Sequence, residues 1–160
     1  MKRNMMVEYI RIMNERNDVL IFETEPFMDS LTISGPISAV LYASSSAVDT
    51  DFSVTLNGID IEGGIFPIGQ TFGILRARFR NFPGRVEFLE RDKIYKYMID
   101  LSHTCYTMAP GEKIRLEVAS CSFPEFSRNL NTGFDNETSS EIEIARQTIY
   151  HNTDYKSHIV

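Results

Sequence analysis

Three groups of residues in this 160-residue chain have types and spacings that could do chemistry. Asp49 and Asp51, in Asp49-Thr50-Asp51-Phe52, are carboxylates close enough in sequence to reach one hard cation together. The further oxygen ligand and the glycine of a calcium-binding loop are missing, with Ser53 and Val54 in their place. These acids are therefore expected to accept hydrogen bonds from backbone or arginine at a strand start, and no metal is predicted. Arg76, Arg78 and Arg80 alternate with Leu75, Ala77 and Phe79. On an extended strand that would set three guanidinium groups on one sheet face, about 7 Å apart. Such a row can grip a carboxylate or phosphate bidentately, or pair with acids on a neighbouring strand or a partner domain; pairing is the expectation. Arg128, Asn129 and Asn131 share a loop, where their side chains can satisfy carbonyls and amides that no ladder reaches. A loop-organising role is expected for them.

The remaining reactive side chains form no catalytic set. His103, His151 and His158 have no metal-binding spacing, and His103-Thr104-Cys105 offers two ligands where zinc takes three or four. As a nucleophilic pair, Cys105 and His103 lack an orienting third group and an oxyanion donor. Cys105 and Cys121 fall on different predicted strands and are expected to be free, buried thiols. Asn136-Glu137-Thr138 fits the glycosylation sequon, which carries little weight without a secretion signal. No cofactor is expected.

The elements that must hold these residues read as strands. From Asp18 onward apolar residues recur every second position, the spacing that sends alternate side chains to opposite faces of a sheet. Leu31, Ile33, Ile37, Ala39, Leu41 and Ala43 share one parity, as a strand pair broken or bent at Gly35-Pro36. Phe52, Val54 and Leu56 lead into Asn57-Gly58, which predicts a tight hairpin turn. Leu75, Ala77 and Phe79, then Tyr95, Tyr97, Ile99 and Leu101, then Ile114, Leu116 and Val118 give three further alternating runs. Turn signals at Gly63-Gly64, Phe82-Pro83-Gly84 and Pro110-Gly111 separate them. Short alternating strands without interposed helices favour an all-β antiparallel sandwich. Residues 1–16 form an N-terminal extension in which Met6, Ile10 and Met13 have the spacing of a short docking helix, and residues 17–160 form the sandwich domain. Gly133 to Glu143 is polar, acidic and loop-like.

Composition sets outer limits. One domain of ordinary size is expected, with 42% hydrophobic residues to fill its core. Sixteen basic against 22 acidic residues leave a formal charge of −6, so a phosphate-tracking surface is not expected and nucleic acid is excluded as a partner. Met1-Lys2-Arg3 resembles the start of a signal peptide, but Glu8 and Arg11 interrupt any apolar stretch. No apolar run is long enough to span a bilayer. A cytoplasmic protein with no membrane partner is the expectation.

Four segments together resemble a known family. Ser120-Cys-Ser-Phe-Pro-Glu-Phe-Ser-Arg-Asn-Leu-Asn-Thr-Gly133 runs from a strand end through a Phe-Pro turn into an Arg-Asn-x-Asn-Thr-Gly loop. With Ser44 to Phe52, Gly73 to Arg80, and Ala145 to His151 followed by Ser157 to Val160, it is similar to the C-terminal jelly-roll domain of serine hydrolases related to cocaine esterase and X-prolyl dipeptidyl aminopeptidase. The likeness spans residues 17 to 160 and implies an antiparallel, galactose-binding-like jelly roll. It also implies that the Ser-His-Asp triad lies in a preceding α/β-hydrolase domain. No G-x-S-x-G nucleophile elbow occurs here, so the chain is expected to be inactive alone. Many relatives carry an acid where Ser127 precedes Arg128-Asn129.

The resemblance implies a non-catalytic accessory domain that packs on an α/β-hydrolase domain, in cis or as a separate subunit. There it would shape substrate access or oligomer contacts, a homo-oligomer included. Asp49, Asp51, Arg76, Arg78, Arg128, Asn129 and Asn131 are its structural or interface candidates. The alternative is a free-standing carbohydrate- or ligand-binding sandwich. The absence of Trp weighs against that, because indole is the best sugar-stacking side chain.

Overall fold

The computed structural model of the chain describes residues 12, 13 and 15–160. Eight strands follow one another: β1 (Val19–Glu23), β2 (Leu31–Ser45), β3 (Asp51–Ile59), β4 (Ile65–Arg76), β5 (Tyr95–Met108), β6 (Lys113–Ala119), β7 (Gln147–Tyr150) and β8 (His158–Ile159). One sheet has the order β1-β6-β3-β4 and the other β5-β2-β7, with β8 also on β2. Both closing strands run antiparallel to β2, at Tyr42↔Tyr150 for β7 and Ala39↔Ile159 for β8. The fold is an all-β antiparallel sandwich. The helix expected over residues 1–16 lies mostly outside the described residues, of which Ile12, Met13 and Glu15 are helical.

The strands gather into two compact units. The first takes the described residues up to Ile37 with Val54–Phe72 and Leu101–Val118, and buries Ile37, Val54, Leu56, Ile59, Ile65, Ile68, Leu101 and Met108. The second takes Ser38–Ser53, Gly73–Asp100 and Ala119–Val160, and buries Ala39, Leu41, Ala43, Phe52, Ala77, Leu89, Tyr97 and Ile99. Its two largest fully buried side chains, Phe52 and Tyr97, meet as a tilted pair with ring centroids 4.7 Å apart.

Several local expectations are corrected. Gly35-Pro36 does not divide a strand pair: β2 runs unbroken for 15 residues, with Gly35 at φ +122°, a value that residues with a Cβ avoid. The hairpin between β3 and β4 turns at Asp60 to Gly64, past Asn57-Gly58. There the Asp60 carboxylate accepts the amides of Glu62 (2.8 Å) and Gly64 (2.7 Å), and Gly63 supplies the positive φ. Asx geometry thus outcompetes the Asn-Gly signal. Gly58 lies within the strand, where the Phe66 ring fills the space a Cβ would take.

On β5 the inward parity changes partway. Tyr97, Ile99 and Leu101 are buried and Lys96, Met98 and Asp100 are exposed, as the alternation predicts; beyond Ser102 the inward residues are Thr104 and Met108. Ser102 has φ +67°, so it acts as a β-bulge does, shifting which side chains face the core. This corrects the expectation of buried thiols. Both cysteines are free, but Cys105 is exposed beyond the bulge and Cys121 is partly exposed. On β6 the charged side is the buried one: Arg115 and Glu117 are 2% and 3% exposed, with Arg115 donating to Glu117 (2.8 Å) and to Glu23 (3.0 Å).

The position of the β3–β4 turn has a measurable consequence. Asp60→Ala removes the acceptor for two turn amides and is expected to cost about 1 kcal/mol in denaturant melts, in line with a lost loop hydrogen bond. Asn57→Ala should cost less than about half of that. The reverse order would place the turn at Asn57-Gly58 after all.

Candidate functional site

Six of the seven residues singled out from the sequence lie in one part of the second unit, where β2 hands over to β3. The connection Ser46 to Thr50 has no ladder partner, so its backbone groups are met by other loops. Val48 O accepts the Leu89 amide (2.7 Å), Thr50 O accepts the Ala77 amide (2.8 Å), and the Ser46 amide donates to Arg146 O (3.0 Å). The Thr50 hydroxyl accepts a hydrogen bond from Gln147 Nε2 at 2.7 Å. Asp49 and Thr50 are fully buried and Asp51 is 3% exposed.

The two carboxylates face the end of β4. Arg76, the last residue of that strand, grips Asp51 with both arms of its fork, Nε to Oδ1 at 3.0 Å and Nη2 to Oδ2 at 3.2 Å. Its hydrogen bonds with Asp51 raise its pKa further, so it stays protonated. The chain then tightens into a 3-10 turn, Ala77–Phe79. Arg78 therefore meets Asp49 differently, donating its backbone amide to Oδ1 (3.0 Å) and its Nε to Oδ2 (2.7 Å). Asn129 sits between the acids. Its Nδ2 donates to Asp49 Oδ2 and to Asp51 Oδ1, both at 2.8 Å, while its own Oδ1 accepts the Asn131 amide at 2.9 Å. The cluster holds two acids, two bases and a neutral amide that offers a donor to each acid.

The predicted arginine row is not present as a row. Because β4 ends at Arg76, Arg78 and Arg80 leave the sheet. Arg80 turns to Glu87, bonding its carboxylate at 3.1 Å and its carbonyl at 2.5 Å, and stacks over the Tyr95 ring at 4.4 Å. The local reason is the 3-10 turn, which the Arg80 amide closes on the Ala77 carbonyl at 3.2 Å. Asn131 has φ +64°, a left-handed conformation that asparagine tolerates, and its Nδ2 donates to Glu143 O at 2.8 Å. Arg128 stands apart: it is exposed and makes no ion pair or hydrogen bond among the described residues. Where an acid would precede it, the Ser127 carbonyl accepts from Arg76 Nη2 at 3.4 Å.

Sequence reasoning read Asn136 only as a sequon and missed its part in the loop: its side-chain carbonyl accepts the Leu130 amide at 3.0 Å while its Nδ2 is buried. A sequon asparagine so placed offers no amide to a glycan. The missed signal was the density of Asn, Asp and Ser in residues 127–139, since such side chains stand in for absent ladder bonds. His103 Nδ1 lies 3.3 Å from the Ser102 hydroxyl.

Each carboxylate oxygen of Asp49 and Asp51 already accepts at least one protein hydrogen. Among the described residues no group of three or more His, Cys, Asp or Glu is arranged to hold a metal ion. The cluster is built as a clamp that ties three loops to a strand end. It contains no nucleophile beside a base.

Comparison with known proteins places the domain as a whole. Residues 5–160 match the family described as the X-Pro dipeptidyl-peptidase C-terminal non-catalytic domain. The chain is 36% identical over 156 residues to the cocaine esterase of Rhodococcus sp. (strain MB1 Bresler), covering 94% of this chain and 26% of that protein. Its structure is similar to that of an α-amino acid ester hydrolase, with a TM-score of 0.87 and 27% identity over 93% of this chain and 26% of the other. It is similar to an aminopeptidase from the marine sediment archaeon Thaumarchaeota archaeon, with a TM-score of 0.85, 28% identity and the same coverage. The chain thus spans about a quarter of the length of these relatives. Among the described residues no helix is long and apolar enough to cross a membrane.

Two expectations follow from the clamp. Arg78→Ala leaves the fully buried Asp49 short of its cation and is expected to cost about 3 to 5 kcal/mol, as breaking a buried pair does. Arg76 is a quarter exposed, so water can partly replace it, and Arg76→Ala should cost less. Wild-type denaturant melts for both variants would refute the clamp. Because Asp49 and Asp51 are already filled by protein donors, neither calcium nor a chelator should move the melting temperature. A reproducible rise on adding calcium would show that the carboxylates open to a cation.

Proposed function

The chain belongs to the family of X-Pro dipeptidyl-peptidase C-terminal non-catalytic domains, and we propose that it serves as the accessory domain of a serine hydrolase, packing on an α/β-hydrolase domain and walling the substrate entrance. The observation that carries this reading is one of extent. The family match over residues 5–160 accounts for nearly the whole chain, whereas the chain covers only 26% of the cocaine esterase and of the ester hydrolase that resemble it. The chemistry of such an enzyme then resides in the remainder, as acyl transfer through a serine activated by histidine and carboxylate, with an oxyanion hole.

In this reading the residues of the clamp hold shape and do no chemistry. Catalysis depends on positioning, and a misplacement of about 1 Å at an active site can cost a hundredfold in rate. A wall that borders a substrate channel therefore needs loops with one conformation. Asp49, Asp51, Arg76, Arg78 and Asn129 supply that, because a charge buried without its partner is too costly for an alternative loop arrangement to persist. The relatives, an esterase, an ester hydrolase and an aminopeptidase by name, share the cleavage of an acyl group from oxygen or nitrogen. We assign the same substrate class, acyl esters and amino-terminal peptides, to the whole enzyme.

The purified chain is expected to hydrolyse neither a p-nitrophenyl ester nor an X-Pro chromogenic peptide. Saturable turnover that disappears on changing a single serine, in protein free of contaminating hydrolases, would overturn the accessory-domain reading. Tight sugar binding by the isolated chain would favour the free-standing module instead.

A further inference from the structure

Five large apolar side chains of the second unit stand exposed in the loops around the clamp and are held in a connected arrangement. Phe82, Val86 and Phe88, in the loop after the 3-10 turn, are 79%, 58% and 50% exposed; Phe134 is 58% and Phe123 73% exposed. The Phe88 ring lies under the Arg78 guanidinium at 5.2 Å, and it packs on Gly133, where an added Cβ would come within 3.1 Å of it. Arg78 Nη2 also reaches the Phe134 carbonyl at 3.4 Å, which seats Phe134 beside Phe88. Asn81 Nδ2 donates to Glu87 at 3.0 Å, closing the loop that carries Phe82 and Val86. The Phe123 loop is tied in through Ser127, whose carbonyl accepts from Arg76.

Such a concentration of exposed phenylalanine is unlike an ordinary solvated surface, where large apolar side chains stand singly. Around it stand exposed charges of both signs, Arg85, Glu87, Glu125 and Arg128. An apolar centre with a charged rim, including a guanidinium without a partner among the described residues, has the anatomy of a protein interface.

We propose that Phe82, Val86, Phe88, Phe123 and Phe134 form the face by which this domain docks on the catalytic portion of its own hydrolase, and that the Asp49/Asp51–Arg76/Arg78–Asn129 clamp exists to hold that face in register. The proposal rests on the accessory-domain reading. The occupant is chosen on length: the chain covers 26% of the relatives it matches, so most of such a protein lies outside this domain and is available to cover it. The same clamp residues reach all three loops of the face, Arg78 through Phe88 and Phe134 and Arg76 through Ser127. An apolar face with mobile loops would bind at a large entropic cost, and one fixed beforehand by buried ion pairs does not.

The test is a chimera in which this chain replaces the matched quarter of the Rhodococcus cocaine esterase, assayed with a p-nitrophenyl ester and for half-life at a fixed temperature. Phe82→Ser, Phe88→Ser and Phe134→Ser are compared with Met98→Ser, an exposed apolar residue of β5 outside the face. The face variants should lower half-life or activity at least tenfold while leaving the melting temperature of the isolated chain within a few degrees of wild type. Met98→Ser should change neither. Phe82 touches least and cannot act by unfolding the domain, so it is the decisive variant. An active chimera indifferent to all three face substitutions sinks the docking face and leaves the accessory-domain reading standing. A chimera inactive with the unaltered chain sinks that reading itself. Concentration-dependent dimers of the isolated chain, abolished by Phe82→Ser, would assign the face to a second copy and overturn the proposal.

Discussion

Two carboxylates with almost no access to water set the terms for this part of the molecule. Burying an ion costs several kcal/mol even after relaxation, and the cost is recovered only when the partner charge and the remaining lone pairs are met with good geometry. Asp49 and Asp51 meet that condition through a single arrangement of the chain. Arg76 must end a strand, Arg78 must follow in a tightened turn, and the loop after β6 must bring Asn129 between the acids. Displacing any one of these segments strands a buried charge. The demand is electrostatic, but its product is positional: three loops without ladder partners acquire one conformation.

The amide at position 129 is the telling choice. A carboxylate there would add a third negative charge beside two buried acids, and a lysine or arginine would unbalance a cluster that is already neutral. Asparagine offers two donor hydrogens on one nitrogen, one for each acid, and an oxygen that accepts the Asn131 amide. Its acceptor in turn fixes the left-handed turn at Asn131, which passes the constraint on to Glu143. Glu143 is held from the other side by Arg91, whose guanidinium lowers the Glu143 pKa and keeps it ionised. The constraint therefore runs from the clamp along a chain of polar contacts into the loop before β7.

How far all this was legible follows from what alternation can encode. Period two finds strands and their inward residues where the ladder is regular, as at Tyr97, Ile99 and Leu101. It fails where one residue breaks phase. Ser102 reverses the inward side of β5 and so brings Cys105 to the surface, and the 3-10 turn at Ala77–Phe79 ends β4 after the first arginine of the row. Alternation also cannot say which side of a strand is buried when the polar side carries its own partners, as Arg115 and Glu117 do on β6. The proximity of Asp49 and Asp51 to Arg76 and Arg78 rests on contacts about 25 to 29 residues apart in sequence. No local spacing rule reaches that far. Residue type did carry information, since paired acids, alternating arginines and a loop dense in asparagine are each expensive to leave unpaired.

A clamp of charges and an apolar outer face are complementary solutions to one problem. Loops at the end of a sandwich cannot be held by ladder hydrogen bonds, and these carry their phenylalanines outward, so the core beneath holds them at few points, such as Leu89. What remains is the underside of the loops, where polar contacts are available and water is not. Replacing the clamp by hydrophobic side chains of similar volume could raise stability, as it has for other buried ion pairs. It would also remove the directional bonds that tell Phe88 and Phe134 where to stand, because apolar contact is non-directional. Specific placement of an apolar surface thus calls for an ionic foundation, and the buried pairs are best understood by the position of what they carry.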